Sequence, residues 1–288
     1  MQGYIKYTKD CDDNKSESAR LHDQHDVLLH AMGDRAILAP VDFSRRYLRI
    51  LDSGAGDGRW LFDLRQYLDA NGADSGTYHY VGTDINPSLY PKSPPPHIKF
   101  FNQSILESFP TKWHGTFDIV HQRLVMAAVA PPATTIASVV AELGGLLRPG
   151  GWLQLVELDN DCSPENGPAL RRLLCYHQQN SEAGGLGPNL SVHLKTAMEN
   201  IDLENIKQHS VDVFYGAKNQ GGEDLKAKST RSLSQVVGPV LAQARVALPN
   251  TYIKSDEITL PSQLQQEVEE VGARLRFTVV YGQRRITS

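Results

Sequence analysis

The chain has 288 residues, 40% hydrophobic and 22% charged, which suits one large α/β domain and excludes fibrous and disordered classes. Its 29 basic and 33 acidic side chains are interspersed and sum to −4, so no stripe of Lys and Arg stands ready for phosphates and nucleic acid is not an expected partner. Cys11, Cys162 and Cys175 are odd in number and lack C-x-x-C spacing, against a disulfide framework or zinc site; with a polar N-terminus and no run approaching a membrane span, they lead to the expectation of a cytoplasmic protein without a membrane partner.

Taken in chain order, residues 16–39 set Leu21, Val27, Leu28 and Met32 among polar neighbours at roughly helical spacing, with Pro40 as the stop. A short run at 47–52 reads as a strand, a glycine cluster follows, and 60–68 has helical apolar spacing. Strands follow at 78–83, 98–101 and 117–121, then a helix over 134–147 and a strand over 152–157. The three consecutive prolines within 91–96 and the turn at 148–151 are loops by chemistry. Beyond Asp159 the pattern predicts helices near 169–179 and 191–201 and strands near 207–215 and 275–282. Between those last strands lies a helical insertion, 232–248 and 261–272, placed to cover the carboxyl edge of the sheet. The alternation implies a Rossmann-like α/β fold with a seven-stranded, mostly parallel sheet. One domain over 1–288 is expected: a helical cover over 1–46, a core over 47–160, and lid helices with the last two strands over 161–288.

The most informative segment is Leu51-Asp-Ser-Gly-Ala-Gly-Asp-Gly58, where the first strand hands over to the first helix. Glycines there permit positive φ and let a ligand lie against the backbone. A dinucleotide site would place its third glycine at position 59, which is Arg59; here it is Gly58, so the spacing tilts away from NAD. Glycine turns also follow strands in many α/β proteins for structural reasons alone. One βα unit later, a strand ends in Asp84-Ile85-Asn86, and a carboxylate there accepts both hydroxyls of a ribose unless it is a plain surface acid. After the next strand, Gln103 and Ser104 are placed to bond an adenine edge and Ile105 to pack on its face. Phe117-Asp-Ile-Val-His-Gln-Arg123 ends the fourth strand, where side chains face a reacting centre.

These pieces resemble the class I S-adenosylmethionine-dependent methyltransferases of fungal secondary metabolism, the LaeA-like type. Residues 17–25 look like that family's N-terminal "RL-x-x-QH" helix, which closes over the cofactor. Asp52 to Trp60, Gly82 to Asn86, 117–124 and 147–157 follow in the expected order, covering about 16–284. The resemblance implies the class I methyltransferase fold and S-adenosylmethionine held by Asp52, Ser53, Gly54, Gly56, Gly58, Asp84, Ile85, Gln103, Ser104, Ile105 and His121. It also implies a small-molecule acceptor, with N-methylation of a gliotoxin-type diketopiperazine as the narrower expectation. The chain departs at Ser104, where relatives often carry Asp.

Methyl transfer from a sulfonium is an in-line displacement that needs positioning and exclusion of water more than acid or base groups. Where a base helps, His121, Glu157 and His25 are the candidates, His121 first by its place after the fourth strand; a structural histidine and a lid or cap carboxylate are the plainer readings. His22, His25 and His30 lack accompanying metal-ligand spacing, so no metal is expected. Of the aromatics, Tyr4, Tyr7, Trp113, Tyr176, Phe214 and Tyr215, only Tyr215 stands at a strand end beside the lid. Rival functions are O- or S-methylation of another metabolite, a regulatory protein or pericyclase retaining the fold, and an NAD oxidoreductase. The oligomeric state is open, with a homodimer among the options.

Overall fold

The computed structural model describes residues 11–160 and 163–286, with side chains from residue 16 onward in that range. Cys162, Tyr4 and Tyr7 lie outside the described residues. Eight helices and seven strands follow in the order α1 (Cys11–Ala31), β1 (Arg49–Ser53), α2 (Arg59–Ala70), β2 (His79–Asp84), β3 (Ile98–Asn102), β4 (Phe117–Arg123), α3 (Ile136–Leu146), β5 (Leu147–Asp159), α4 (Pro168–Ala183), α5 (Val192–Glu199), β6 (Leu203–Tyr215), α6 (Glu223–Gln235), α7 (Val237–Ala247), α8 (Asp256–Glu270) and β7 (Ala273–Arg284).

The strands form one seven-stranded sheet in the order β3-β2-β1-β4-β5-β7-β6. β1 to β5 pair in parallel, and β7 runs antiparallel to both β5 and β6. This is the class I methyltransferase architecture. The chain moves outward from β1 to β3, then returns to place β4 on the other side of β1. The crevice at the carboxyl ends of β1 and β4 is therefore the switch point where open α/β sheets bind ligands.

Strand pleating sorts side chains onto two faces. On one face Leu51, Val120, Leu153, Leu155 and Val280 pack against α3, through Val140 and Leu143, and against Leu194 and Met198 of α5. On the other, Ile50, Tyr80 and Ile119 meet Leu61 and Leu64 of α2. A further cluster joins Val27, Leu28 and Met32 of α1 to Leu233, Leu241 and Leu264 of the inserted helices and to Phe277 of β7. The apolar side of α1 thus belongs to the lid, which leaves its polar side for the glycine turn.

Three elements differ from the sequence expectation. α1 ends at Ala31, well before Pro40, because Gly33 (φ 69) and Asp34 (φ 57) turn left-handed. The segment after it is captured by the sheet: Gln154 of β5 accepts from the Leu38 amide at 2.7 Å and donates to Ala36 O at 3.0 Å. The run expected as one helix from 232 is two, α6 and α7, meeting at Val236. α8 starts at Asp256, ahead of Pro261; Asp256 and Glu257 suit its N-terminus, and burial of Leu260, Leu264 and Val268 offsets the hydrogen bond the proline cannot donate.

Candidate active site

The glycine turn is pinned to the neighbouring strand. Gly54 and Ala55 amides donate to Thr83 O at 2.7 and 2.8 Å. Gly54 has φ +74, and a Cβ there would sit 2.4 Å from Val125 Cγ2; one on Gly58 (φ +85) would sit 2.4 Å from Phe100 Cζ. Both positions therefore demand glycine for backbone angle and for space. Asp84 ends β2 with one carboxylate oxygen accepting from Gly56 N and the other from Asn86 N, each at 2.9 Å. Burial raises its pKa against those bonds. The Tyr90 hydroxyl accepts from Asp84 N at 2.8 Å and donates to Phe101 O at 2.8 Å, locking the ends of β2 and β3 together.

Ile85, beside Asp84, is 46% exposed and presents an apolar side chain at this edge. Gln103 turns back into its own loop, its Nε2 donating to Ser104 O at 3.0 Å, while Ser104 Oγ accepts from Leu106 N at 3.2 Å. Ile105 is buried in the core cluster on the α3 face.

At the switch point, Asp52 and His121 are register partners, and the imidazole Nδ1–H donates to Asp52 Oδ1 at 2.8 Å. Trp60 stacks flat on that imidazole, ring centroids 3.9 Å apart. His121 is 1% exposed, and burial lowers its pKa, so the ring is neutral near pH 7. On the opposite face Ser53 Oγ donates to Gln122 Oε1 at 3.0 Å, and Gln122 Nε2 is buried with no partner among the described residues.

His25 of α1 reaches the same face as His121. Its Nε2 lies 2.9 Å from Asp63 Oδ2 of α2, and its Nδ1 accepts from the Arg123 guanidinium at 3.1 Å. Desolvation lowers its pKa, and the donor on Nδ1 assigns the proton to Nε2, facing Asp63. Glu157 is on the other face of the sheet, two residues beyond Leu155, its Oε1 accepting from Val125 N and Met126 N at 2.9 Å. Burial pushes Glu157 up to about 7. The structure therefore pairs His121 with Asp52, puts His25 against Arg123 on the same face, and sets Glu157 apart, bracing the loop after β4. Tyr215 is buried in the lid cluster.

α1 covers the glycine turn with its polar side. Ser18 and His22 both bond Asp57, the latter at 2.7 Å, and Leu21 Cδ1 lies 3.3 Å from where a Gly56 Cβ would be. Asp26 bridges Arg59 of α2 (3.3 Å) and Lys228 of α6 (2.9 Å), while Asp23 holds Arg231 of α6 through two bonds. His25, Asp26 and Asp63 bring potential metal-ligand atoms within 4.8 Å of one another, but Arg59 and Lys228 already hold both carboxylates.

Trp60, Asp63, Tyr90 and Arg123 were not singled out by sequence reasoning. The stack and the buried guanidinium join residues far apart in the chain and leave no local pattern, although the spacing of Arg59 and Asp63 was readable as an i,i+4 pair.

The edge fits an adenosine carrying an amino acid. Three positive-φ glycines give close backbone approach, a half-buried strand-end carboxylate faces them, and an exposed isoleucine follows.

Comparison with known proteins agrees. A family model described as a methyltransferase domain matches residues 20–208. The chain is 36% identical over 284 residues to the N-methyltransferase sirN of Leptosphaeria maculans, covering 96% of this chain and 94% of that protein. It is 31% identical to the N-methyltransferase gliN of Aspergillus fumigatus, covering 93% of each. Among solved structures, the YcgJ protein of Bacillus subtilis superposes with a TM-score of 0.49 at 14% identity, over 89% of this chain and 98% of that one. The chain belongs to the methyltransferase-domain family and is an S-adenosylmethionine-dependent methyltransferase.

Proposed function

We propose that the enzyme N-methylates a small secondary metabolite, an amide or amine nitrogen of the diketopiperazine type. The observation that carries this is near-full-length similarity to proteins named N-methyltransferases, spread across cover, core and lid alike. Lid likeness matters because the lid, not the glycine turn, meets the acceptor. Absence of a basic stripe on a chain of net charge −4 supports a small acceptor over nucleic acid. Among the described residues no helix is long and apolar enough to cross a membrane.

In this proposal Asp84 accepts the ribose hydroxyls, the turn from Asp52 through Ser53, Gly54, Gly56 and Gly58 receives the cofactor's middle, and Ile85 lies against the adenine with the loop of Gln103 and Ser104 at its rim; Ile105, expected on the adenine face, is instead committed to the core. The bound cofactor supplies a methyl group on a sulfonium, ready for in-line displacement. α1 and the lid helices exclude water, and the site's main contribution is orientation. His121 acts as a positioning residue that holds Asp52, and His25 likewise holds Arg123. Glu157, buried on the other face and holding the Val125 and Met126 amides, braces the loop after β4, and a proton lost by the acceptor nitrogen passes to solvent.

The test is mass spectrometry of cofactor, enzyme and a panel of diketopiperazines with secondary amide N–H groups, beside their N-substituted counterparts. We expect one methylene of mass gained only where a free N–H is present. Methylation of hydroxyl or thiol controls with no reaction at nitrogen would overturn the N-acceptor assignment. His121→Gln should raise KM for the cofactor more than it lowers kcat; a collapse of kcat at unchanged KM would make it a catalytic base instead.

A further inference from the structure

Arg123 is the last residue of β4, and its side chain is enclosed by protein while keeping some accessible surface, as a group lining a cleft does. Arg148, Arg172, Arg274 and Arg276 each pair with an aspartate. Arg123 does not: among the described residues no carboxylate forms an ion pair with it, and its guanidinium has one neutral partner, His25 Nδ1 at 3.1 Å. A deeply placed cation with no carboxylate in contact is costly even where Asp52 and Asp63 act on it from a distance, and proteins retain one where a ligand brings the contacting charge.

The position says which ligand charge. β4 is register-paired with β1 through Asp52↔His121 and Ser53↔Gln122, so Arg123 comes next, beside Gly54, at the switch point. Pleating puts it on the face of His121 and Asp52. Asp52 is 4% exposed and bonded to the neutral His121. It and Arg123 feel one another's field without forming an ion pair. Two adjoining strand ends thus present a carboxylate and a guanidinium held apart, the complement of a zwitterion. On the far side of the glycine turn, Asp84 ends β2, and adenine beyond a ribose there extends toward β3. The opposite end of the ligand therefore reaches β4.

We propose that Arg123 grips the α-carboxylate at the amino-acid end of the cofactor, with Asp52 taking the α-ammonium beside it. This rests on the cofactor assignment above. The planar guanidinium fork matches a carboxylate in a two-bond geometry that a lysine cannot reproduce. His25, its Nδ1 on the guanidinium and its Nε2 2.9 Å from Asp63 Oδ2, aims Arg123 from α1, so the cover helix is oriented by the same residue that reads the ligand.

The experiment is calorimetric titration of the demethylated cofactor, S-adenosylhomocysteine, and of its decarboxylated analogue, with wild type, Arg123→Leu, Arg123→Lys and Asp84→Ala. Wild type should prefer the carboxylate-bearing ligand by roughly 10- to 100-fold. Arg123→Leu should reduce that preference to about one, Arg123→Lys should leave an intermediate value, and Asp84→Ala should weaken both ligands with the ratio unchanged. Wild type binding both ligands equally, or both Arg123 variants keeping the full preference, would overturn the proposal while leaving the cofactor assignment intact. Should Arg123→Leu fail to fold, Arg123→Lys and the wild-type ratio still decide. Binding of neither ligand to wild type would defeat the cofactor assignment and the proposal with it.

Discussion

The two halves of the sheet are built on different physics. Along β1 and β2 the strands end in tight turns held by local backbone bonds: the Gly54 and Ala55 amides donate to Thr83 O, Gly58 N donates to Ala55 O, and Gly56 N donates to the Asp84 carboxylate. From β5 to β7 the strands are long, β7 runs antiparallel, and the covering helices are held by side chains over large sequence separations, as Arg172 to Asp256 and Arg231 to Asp23. A turn built on backbone angles tolerates few substitutions, whereas helices held by side-chain pairs can vary without disturbing the sheet.

The sharpest way to break that contrast is at the turn. Gly54→Val combines left-handed strain with overlap on Val125 and should cost on the order of 4 kcal/mol of stability and abolish cofactor binding. Thermal melts with calorimetry check it, and a variant that binds normally would show the turn is not backbone-critical. Next is Glu157, at the seam between the halves. Its folded carboxyl keeps its proton up to about 7 whereas the unfolded one releases it near 4.5, so the native state holds more protons between those values and stability falls as pH rises through the interval. The loss is about 3 kcal/mol at most, and Glu157→Gln should flatten it in denaturant titrations from pH 4.5 to 8. A wild-type profile as flat as the variant's would refute the shift.

Asp84→Ala should lower cofactor affinity by roughly 10- to 100-fold and cost about 1 to 2 kcal/mol of stability, since it also strips the acceptor from the Gly56 and Asn86 amides. An unchanged affinity would move the ribose elsewhere. The smallest effect is expected in the lid. Asp23→Ala breaks a pair whose arginine is half exposed, worth at most about 1 kcal/mol, and should show as faster proteolysis between α1 and α6 rather than as unfolding. A large destabilisation there would mean the lid is as rigidly built as the core.

Residues 47–159 were legible because each signal is local: β-rich runs, glycines at fixed offsets, and a carboxylate at a strand end. Even α1 was foreseen, though not its end, since Gly33 and Asp34 terminate it ahead of the proline and the reason the chain stays extended afterwards is Gln154, more than 100 residues away. The inserted helices were read less well. Their start at Glu223 and break at Val236 carry no strong cap, and α8 hides its beginning behind Pro261.

What chain order and residue type determine here is the family, the cofactor edge and the candidate residues, because backbone turns and strand ends are written within a few consecutive positions. Which candidates meet was decided only on folding. Pleating sent His121 and Glu157 to opposite faces, packing laid Trp60 on the imidazole, and α1 delivered His25 to a guanidinium with no carboxylate in contact among the described residues. Those contacts join residues tens of positions apart, and a linear pattern has no register in which to record them.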